Sequence, residues 1–423
     1  MNDPQSFLEG LMDAAIAAAD PIKCVPPHLP RPPQGRTVVL GGGKASAAMA
    51  RAVEDNWPGE ISGLIVTRYE YGVDCEHIEI IEAAHPVPDR AGLKAAERMV
   101  ELARGLGPDD LCLALMSGGA SSLLTMPAPG LTLEDKQAVN RALLQSGATI
   151  TEMNCVRKHL SAIKGGRLAR AIAPASLVTL MISDVPGDDP AVIGSGPTVP
   201  DTTTFAEARA IIDKYGIDPG EAARRFLDDA AEETPKPGDP ALANAVEVMV
   251  ARPKASLEAA AGVARAAAVT PVILGDALEG ESRVVAAEHA ALAGCIQDGS
   301  GPAPAPAVLL SGGETTVTIR GTGEGGPNTE YALALSIALD GRDGVWGLAV
   351  DTDGTDGSRD NAGGLVSPGT IERARTLGMD AAALLENNDS YGYFEGAGGL
   401  VVTGPTYTNV NDFRAVLVLS SDR

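Results

Sequence analysis

The sequence predicts an α/β fold in two domains, and three observations carry that reading. Short apolar runs alternate with Ala-rich segments of helical periodicity. At 423 residues the chain is longer than one ordinary core organises. Aromatic residues make up only 3% of the chain while glycines number 49, so the core is built from Ala, Val, Leu and Ile, and the glycines serve tight strand-to-helix turns.

In chain order, strands are expected over Arg36–Leu40, Gly63–Thr67, Leu111–Met116 and Leu177–Ser183. Helices are expected over Lys44–Asn56, Ala91–Arg104, Leu133–Gln145 and Phe205–Tyr215. Strands and helices that alternate in this way pair in parallel through crossover connections. The Pro- and acid-rich stretch Thr234–Leu242 reads as a connection, which places the domains at 1–240 and 241–423. Strands resume at Val246–Val250, Pro271–Leu274, Val308–Leu310, Thr315–Ile319 and Val345–Val350, and Gly299–Ala307 reads as a loop. There is no fixed-period repeat, but each half contains an apolar strand running into Ser-Gly-Gly.

Lys plus Arg is 33 and Asp plus Glu is 56, a formal charge of −23. A nucleic-acid partner needs a basic face, which argues against that class, and an anionic membrane surface is disfavoured. A small anionic substrate then requires a local basic site. The five cysteines contain no C-x-x-C pair, which speaks against a disulfide framework or zinc site and for a reducing compartment. Asp3, Glu9 and Asp13 stand where a signal peptide would be basic, and no apolar run reaches 18 residues, so the expected location is cytoplasmic.

Four segments carry candidate chemistry. Gly41-Gly42-Gly43-Lys44-Ala45-Ser46 follows a strand and opens a helix, where glycines admit a ligand and helix N–H groups meet an anion. It is not a Walker A loop, and it half-matches a dinucleotide fingerprint. A tight turn with a surface lysine explains it equally well. Met116-Ser117-Gly118-Gly119-Ala120-Ser121-Ser122 suits an oxyanion or a hydroxyl-capped helix start, and Ser311-Gly312-Gly313-Glu314 shares that ambiguity. The basic run Asn154–Arg167 places Arg157, Ser161 and Lys164 at helical spacing, for anion capture or as a solvated face. Asp184, Asp188 and Asp189 follow one strand, and Asp351, Asp353 and Asp356 follow another. Carboxylates at carboxyl strand ends suit Mg²⁺ or a proton acceptor, or they cap turns. His85-Pro86-Val87-Pro88-Asp89 is short and stiff, and its lone histidine reads as structural.

Together with LEGES, GGPNTE and TGPTYTNVND, these segments resemble the glycerate 2-kinase family with the MOFRL domain, whose members are also labelled hydroxypyruvate reductase. The matching pieces span almost the whole chain in order. The resemblance implies a larger N-terminal parallel-sheet (Rossmann-like) domain, a smaller C-terminal α/β MOFRL domain and an active site in the cleft. It implies transfer of the ATP γ-phosphoryl group to the 2-hydroxyl of D-glycerate with Mg²⁺. On this likeness Lys44, Asp184, Asp351, Asp353 and Asp356 are the expected catalytic residues. Gly42, Gly43, Ser117, Gly118, Gly119, Ser121, Ser311, Gly312, Gly313 and Glu314 are expected at the nucleotide, with Asp184, Asp189 and Asp353 on the metal. Arg157, Lys164 and Asn328 are expected at the substrate.

One departure stands out. The family commonly reads G-G-R-N-x-E, with the arginine in the active site, where this chain has Gly325-Gly326-Pro327-Asn328-Thr329-Glu330. Arg359 is the candidate replacement for that arginine, as the counter-charge to the substrate carboxylate; the alternative is a surface pair with Asp356 or Asp360. The expected partners are ATP and a small hydroxy acid, without nucleic acid or membrane, and with room for a homodimer. Two other function classes remain: an NAD(P)H-dependent hydroxypyruvate reductase and a non-catalytic metabolite-binding protein.

Overall fold

The structure, a computed structural model, describes residues 1, 3–357 and 359–420. The chain forms two compact units. One comprises Pro21–Ser183 and Asp188–Val250, and the other the described residues of Met1–Asp20, Asp184–Gly187 and Ala251–Arg423.

In the first unit, β1 (Thr37–Gly42), β2 (Ile61–Arg68), β3 (Ile78–Ala83), β4 (Leu111–Met116), β5 (Ser176–Ile182) and β6 (Ala245–Ala251) form one sheet in the order β3-β2-β1-β4-β5-β6. Every pairing from β3 to β5 is parallel, with Leu40 flanked by Leu64 and Ala114. All residues of β1 and β4 are buried, as a sheet covered on both faces requires, which is why β4 reads as an unbroken apolar run and β1 as Val38–Leu40 followed by glycines. The strand order reverses between β1 and β4. Their carboxyl ends therefore flank the switch point at which open α/β sheets leave a crevice.

Helix boundaries follow local signals. Thr132, Thr149 and Thr204 each form a reciprocal capping box, starting the helices Leu133–Gln145, Ile150–His159 and Phe205–Lys214. The helix Ser46–Asn56 lays Ala47, Met49, Ala50 and Val53 into the core.

The second unit holds β7 (Thr270–Gly275), β8 (Ala307–Gly313), β9 (Val345–Asp351), β10 (Gly363–Val366), β11 (Leu400–Val401) and β12 (Asp412–Val418), in the order β11-β10-β9-β12-β8-β7. This sheet is mixed. β7 and β8 are parallel, whereas β12 runs antiparallel to both β8 and β9. The run Thr315–Ile319, expected as a strand, is not one: Thr316 makes only an isolated bridge to Glu281. Its β-branched composition suits a strand, but no neighbouring strand pairs with it. The helix Pro4–Ala18 packs Leu8, Leu11 and Ala15 against Leu257, Ala261 and Phe413 of this unit. A division by chain order assigns that helix to the other half. Among the described residues no helix is long and apolar enough to cross a membrane.

Candidate active site

At the switch point of the first unit the loops after β1 and β4 dovetail. Gly43 has φ +141°, and a Cβ there would lie 2.2 Å from Ser117 Oγ, so only glycine admits the neighbouring loop. The N–H groups of this turn are all engaged. Gly43 donates to Val66 O at 3.0 Å, Lys44 to Gly118 O at 2.8 Å and Ser46 to Gly43 O at 3.2 Å. Ala45 donates to Ser117 Oγ at 3.0 Å. The turn amides are thus spent within the fold, two of them on the loop after β4, while the Ala47 and Ala48 amides in the first turn of the helix Ser46–Asn56 have no protein acceptor among the described residues.

The amides of Gly118 and Gly119 likewise donate to no protein acceptor among the described residues. A backbone amide without a protein acceptor is uncommon in a folded interior, and Gly118 is buried while Gly119 is half-buried. Gly119 adopts φ +81°, and a Cβ on it would meet His85 Cδ2 at 3.1 Å and Lys44 Cγ at 3.3 Å. Lys44, His85 and Gly119 therefore converge, and the histidine read as structural stands beside the candidate lysine.

Ser117 is fully buried, and its hydroxyl also lies 3.1 Å from Ser46 Oγ. It ties the two loops together. Ser117→Ala is expected to lose roughly 1–3 kcal/mol of stability because the Ala45 amide loses its acceptor. Activity per folded molecule should persist. Urea unfolding with a parallel assay checks this, and abolished turnover in folded protein would make Ser117 a reacting group instead.

Lys164 is 1% exposed. Its Nζ donates to Ser121 O at 2.7 Å, Ser121 Oγ at 3.3 Å and Gly194 O at 3.2 Å, which uses all three of its donors. Burial, reinforced by Lys136, Arg157 and Lys158 nearby, holds its pKa well below the usual lysine range. Lys164 anchors the Ser121 loop to the turn Ile193–Ser195, and Ser121 Oγ meets Ser195 Oγ at 2.8 Å. Arg157 Nε donates to Asn140 Oδ1 at 2.7 Å, and its guanidinium borders a cavity that Gly119, Ser121 and His85 also line. Asp189 is exposed and accepts the Ala191 amide at 2.9 Å, capping the turn that follows.

In the second unit, Ser311-Gly312-Gly313 ends β8, beside the start of β12. Gly313 has φ +100°, and a Cβ there would lie 2.2 Å from Leu278 N. Arg414 is 1% exposed and holds this loop, donating to Gly313 O at 3.3 Å, to Thr315 Oγ1 at 2.9 Å and to Asp412 Oδ2. Asn328 Nδ2 donates to Asp412 Oδ1 at 2.7 Å. Ser311 Oγ and Asn328 Oδ1 are buried without a hydrogen-bond partner among the described residues, while Glu314 is exposed.

Asp356 is 2% exposed and accepts the amides of Asn328 at 2.9 Å and Thr329 at 2.7 Å. It caps the helix Pro327–Leu339, and burial pushes its pKa up to about 6. In this structure its carboxylate caps that helix, with Thr329 Oγ1 also donating to it at 2.8 Å. Pro327 occupies the first helical position, where a missing N–H costs nothing. Arg359 Nε donates to Glu324 Oε2 at 2.6 Å, with the guanidinium 5.4 Å from the Tyr391 ring centre. It already has a counter-charge, and that partner is neither of the two aspartates expected from the sequence.

Asp351 Oδ1 accepts the Asp353 amide at 2.9 Å, and Asp353 Oδ1 accepts the Thr355 amide at 2.8 Å. Asn409 Nδ2 donates to Asp184 Oδ2 at 3.0 Å, and Asn411 Nδ2 to Asp184 O at 2.8 Å. The segment 406–411 thus touches both Asp184 and the loop after β9, because Thr406 N also donates to Asp353 O at 3.1 Å. Sequence reasoning left out Asn409, Asn411 and Arg414, although TGPTYTNVND was visible as a motif. Among the described residues no three His, Cys, Asp or Glu side chains converge as a metal cage. The carboxylates of Asp184, Asp351 and Asp353 are hard oxygen donors, and Mg²⁺ carried on phosphates needs only one or two of them.

The family model described as "Domain of unknown function (DUF4147)" matches residues 7–228, and the model described as "MOFRL family" matches residues 307–412. A protein of Agrobacterium vitis with a provisional hydroxypyruvate reductase name is 56% identical over 98% of this chain and 94% of its own length. The D-glycerate 2-kinase of Thermotoga maritima is 38% identical over 99% of this chain and 100% of its own length. The crystal structure of glycerate kinase from Thermotoga maritima superposes with a TM-score of 0.89 at 38% identity, covering 98% of this chain and 99% of that one.

Proposed function

The chain belongs to the glycerate 2-kinase family that joins a DUF4147 domain to a MOFRL domain, and from that premise we propose that it phosphorylates the 2-hydroxyl of D-glycerate, or of a close small hydroxy acid, with ATP. The observation that carries the reading is the placement of the Lys44 side chain beside Gly119, at the switch point between β1 and β4, where the Gly118 and Gly119 amides have no protein acceptor among the described residues. Phosphoryl transfer asks for charge and positioning more than covalent chemistry. Lys44 would neutralise phosphate oxygens, with the two amides as fixed donors. The 2-hydroxyl oxygen bonds to the γ-phosphorus as the bond to ADP breaks, and the hydroxyl proton passes to a carboxylate. Asp184, Asp351 and Asp353 would hold Mg²⁺, which when bound offsets phosphate charge.

ADP release coupled to NADH oxidation, with D-glycerate, ATP and Mg²⁺, is the direct test. The expected result is turnover to 2-phosphoglycerate, and none with any small hydroxy acid would sink the reading. The reductase alternative draws support from the strand order, which dinucleotide-binding sheets share. Against it, Ser46 stands at the third glycine of the fingerprint, and the turn amides that would meet a pyrophosphate are engaged. Hydroxypyruvate-dependent loss of NADH absorbance without ATP would favour that alternative.

A further inference from the structure

The cavity beside Gly119 has a volume of about 270 Å³ and is lined by the helices Leu133–Gln145 and Ile150–His159. Among the described residues its titratable lining is Lys136, Arg157, Lys164 and the imidazole of His85, without a carboxylate. In a chain of net charge −23 that is a marked local inversion. Lys164 is committed to Ser121 and Gly194. Lys136 differs: its Nζ is buried and has no hydrogen-bond partner among the described residues, and the same holds for Thr125 Oγ1. Burial, with Arg157 beside it, pushes the Lys136 pKa down to about 7. A buried amine without an acceptor destabilises the ligand-free protein, so its presence calls for an anion that arrives from outside. The rest of the wall is largely apolar, including Leu133, Val139, Leu143 and Leu160. A leucine wall suits a carbon chain and not a strongly hydrated phosphate.

We propose that this cavity is the carboxylate subsite of the acceptor, with Lys136 Nζ and the Arg157 guanidinium as its ligands, and that its apolar wall admits 2-hydroxy monocarboxylates with a short alkyl chain as well as glycerate. The proposal rests on the kinase reading and names the acceptor class for it. Gly119 and His85 line the cavity and also adjoin Lys44, so a carboxylate bound here leaves its hydroxyl on the side of the phosphate loop.

Titration calorimetry and thermal unfolding of the full chain test this, with D-glycerate, (R)-2-hydroxybutyrate and inorganic phosphate as probes. Both carboxylates should bind the wild-type protein. Lys136→Met should weaken both by at least tenfold while raising the melting temperature of the ligand-free protein, a gain that loss of a structural lysine would not produce. Lys136→Arg should keep most of the affinity, and Lys136→Gln gives a polar second variant if the methionine protein does not fold. Unchanged carboxylate affinity in these variants, or Lys136-dependent binding of phosphate alone, would overturn the proposal. ADP release from glycerate with an unaltered KM in Lys136→Met would overturn the subsite and leave the kinase reading intact. Lys136-dependent carboxylate binding without ADP release from any hydroxy acid would sustain the subsite and remove the kinase reading.

Discussion

Lys44→Ala is expected to lower kcat by about 10²–10³-fold, the ~3–4 kcal/mol that one charge-stabilising donor is worth in a transition state. The geometry explains why the loss should fall on turnover and not on folding. The hydrogen bond that locks this turn runs from the Lys44 peptide N–H to Gly118 O, and alanine keeps it. The side chain passes Gly119 beside His85 and is half-buried, outside the apolar core. Lys44→Met retains the aliphatic stem and should lose turnover to the same extent, which separates charge from packing. Steady-state ADP release together with a thermal melt of each variant is the check. Near-normal kcat in a folded variant would return Lys44 to the surface-lysine reading.

The second large effect is one of stability. Arg414→Met should destabilise the protein by about 3–5 kcal/mol, because breaking a buried ion pair on one side strands the other charge. The Arg414 side chain is fully enclosed, and its guanidinium holds Asp412, Thr315 and the Gly313 carbonyl at once, with the Tyr331 ring centre 5.4 Å away. Burial already pushes the Asp412 pKa up, and Arg414 is the main charge opposing that shift. Arg414→Met combined with Asp412→Asn should recover a good part of the loss, since both charges then leave together. Urea denaturation of the three proteins measures this. A single-variant loss under about 1 kcal/mol would show that the pair does not anchor the Ser311 loop.

Several elements were legible because their causes are local. The apolar run Leu111–Met116 became β4 with the same bounds, and Thr132 started the helix Leu133–Gln145 through its own capping box. β12 was missed: Asp412–Val418 follows no helix pattern that marks it, and it lies between β8 and β9, about a hundred and some sixty residues earlier in the chain. The helix Pro4–Ala18 was likewise unplaceable, since its partners Leu257 and Phe413 are remote in sequence.

The candidate site divides along the same line. Glycines 41–43, Lys44, Ser117–Ser121 and the strand-end aspartates were visible because a strand that ends in small or acidic residues is a feature of neighbours in the chain. What each group does depends on partners brought up by folding. Ser117 is a strut because the β1 turn lies against it, Asp356 is a cap because the helix Pro327–Leu339 begins at its carboxylate, and Arg359 is held by Glu324. Lys136 reads in sequence as one more lysine on an amphipathic helix, and only the packing of that helix buries its amine without an acceptor. Backbone propensity and turn chemistry act over a few residues and can be read along the chain. Desolvation and hydrogen-bond supply are set by whatever the tertiary structure places within a few ångströms, and they decide which of these polar groups remain available to a ligand.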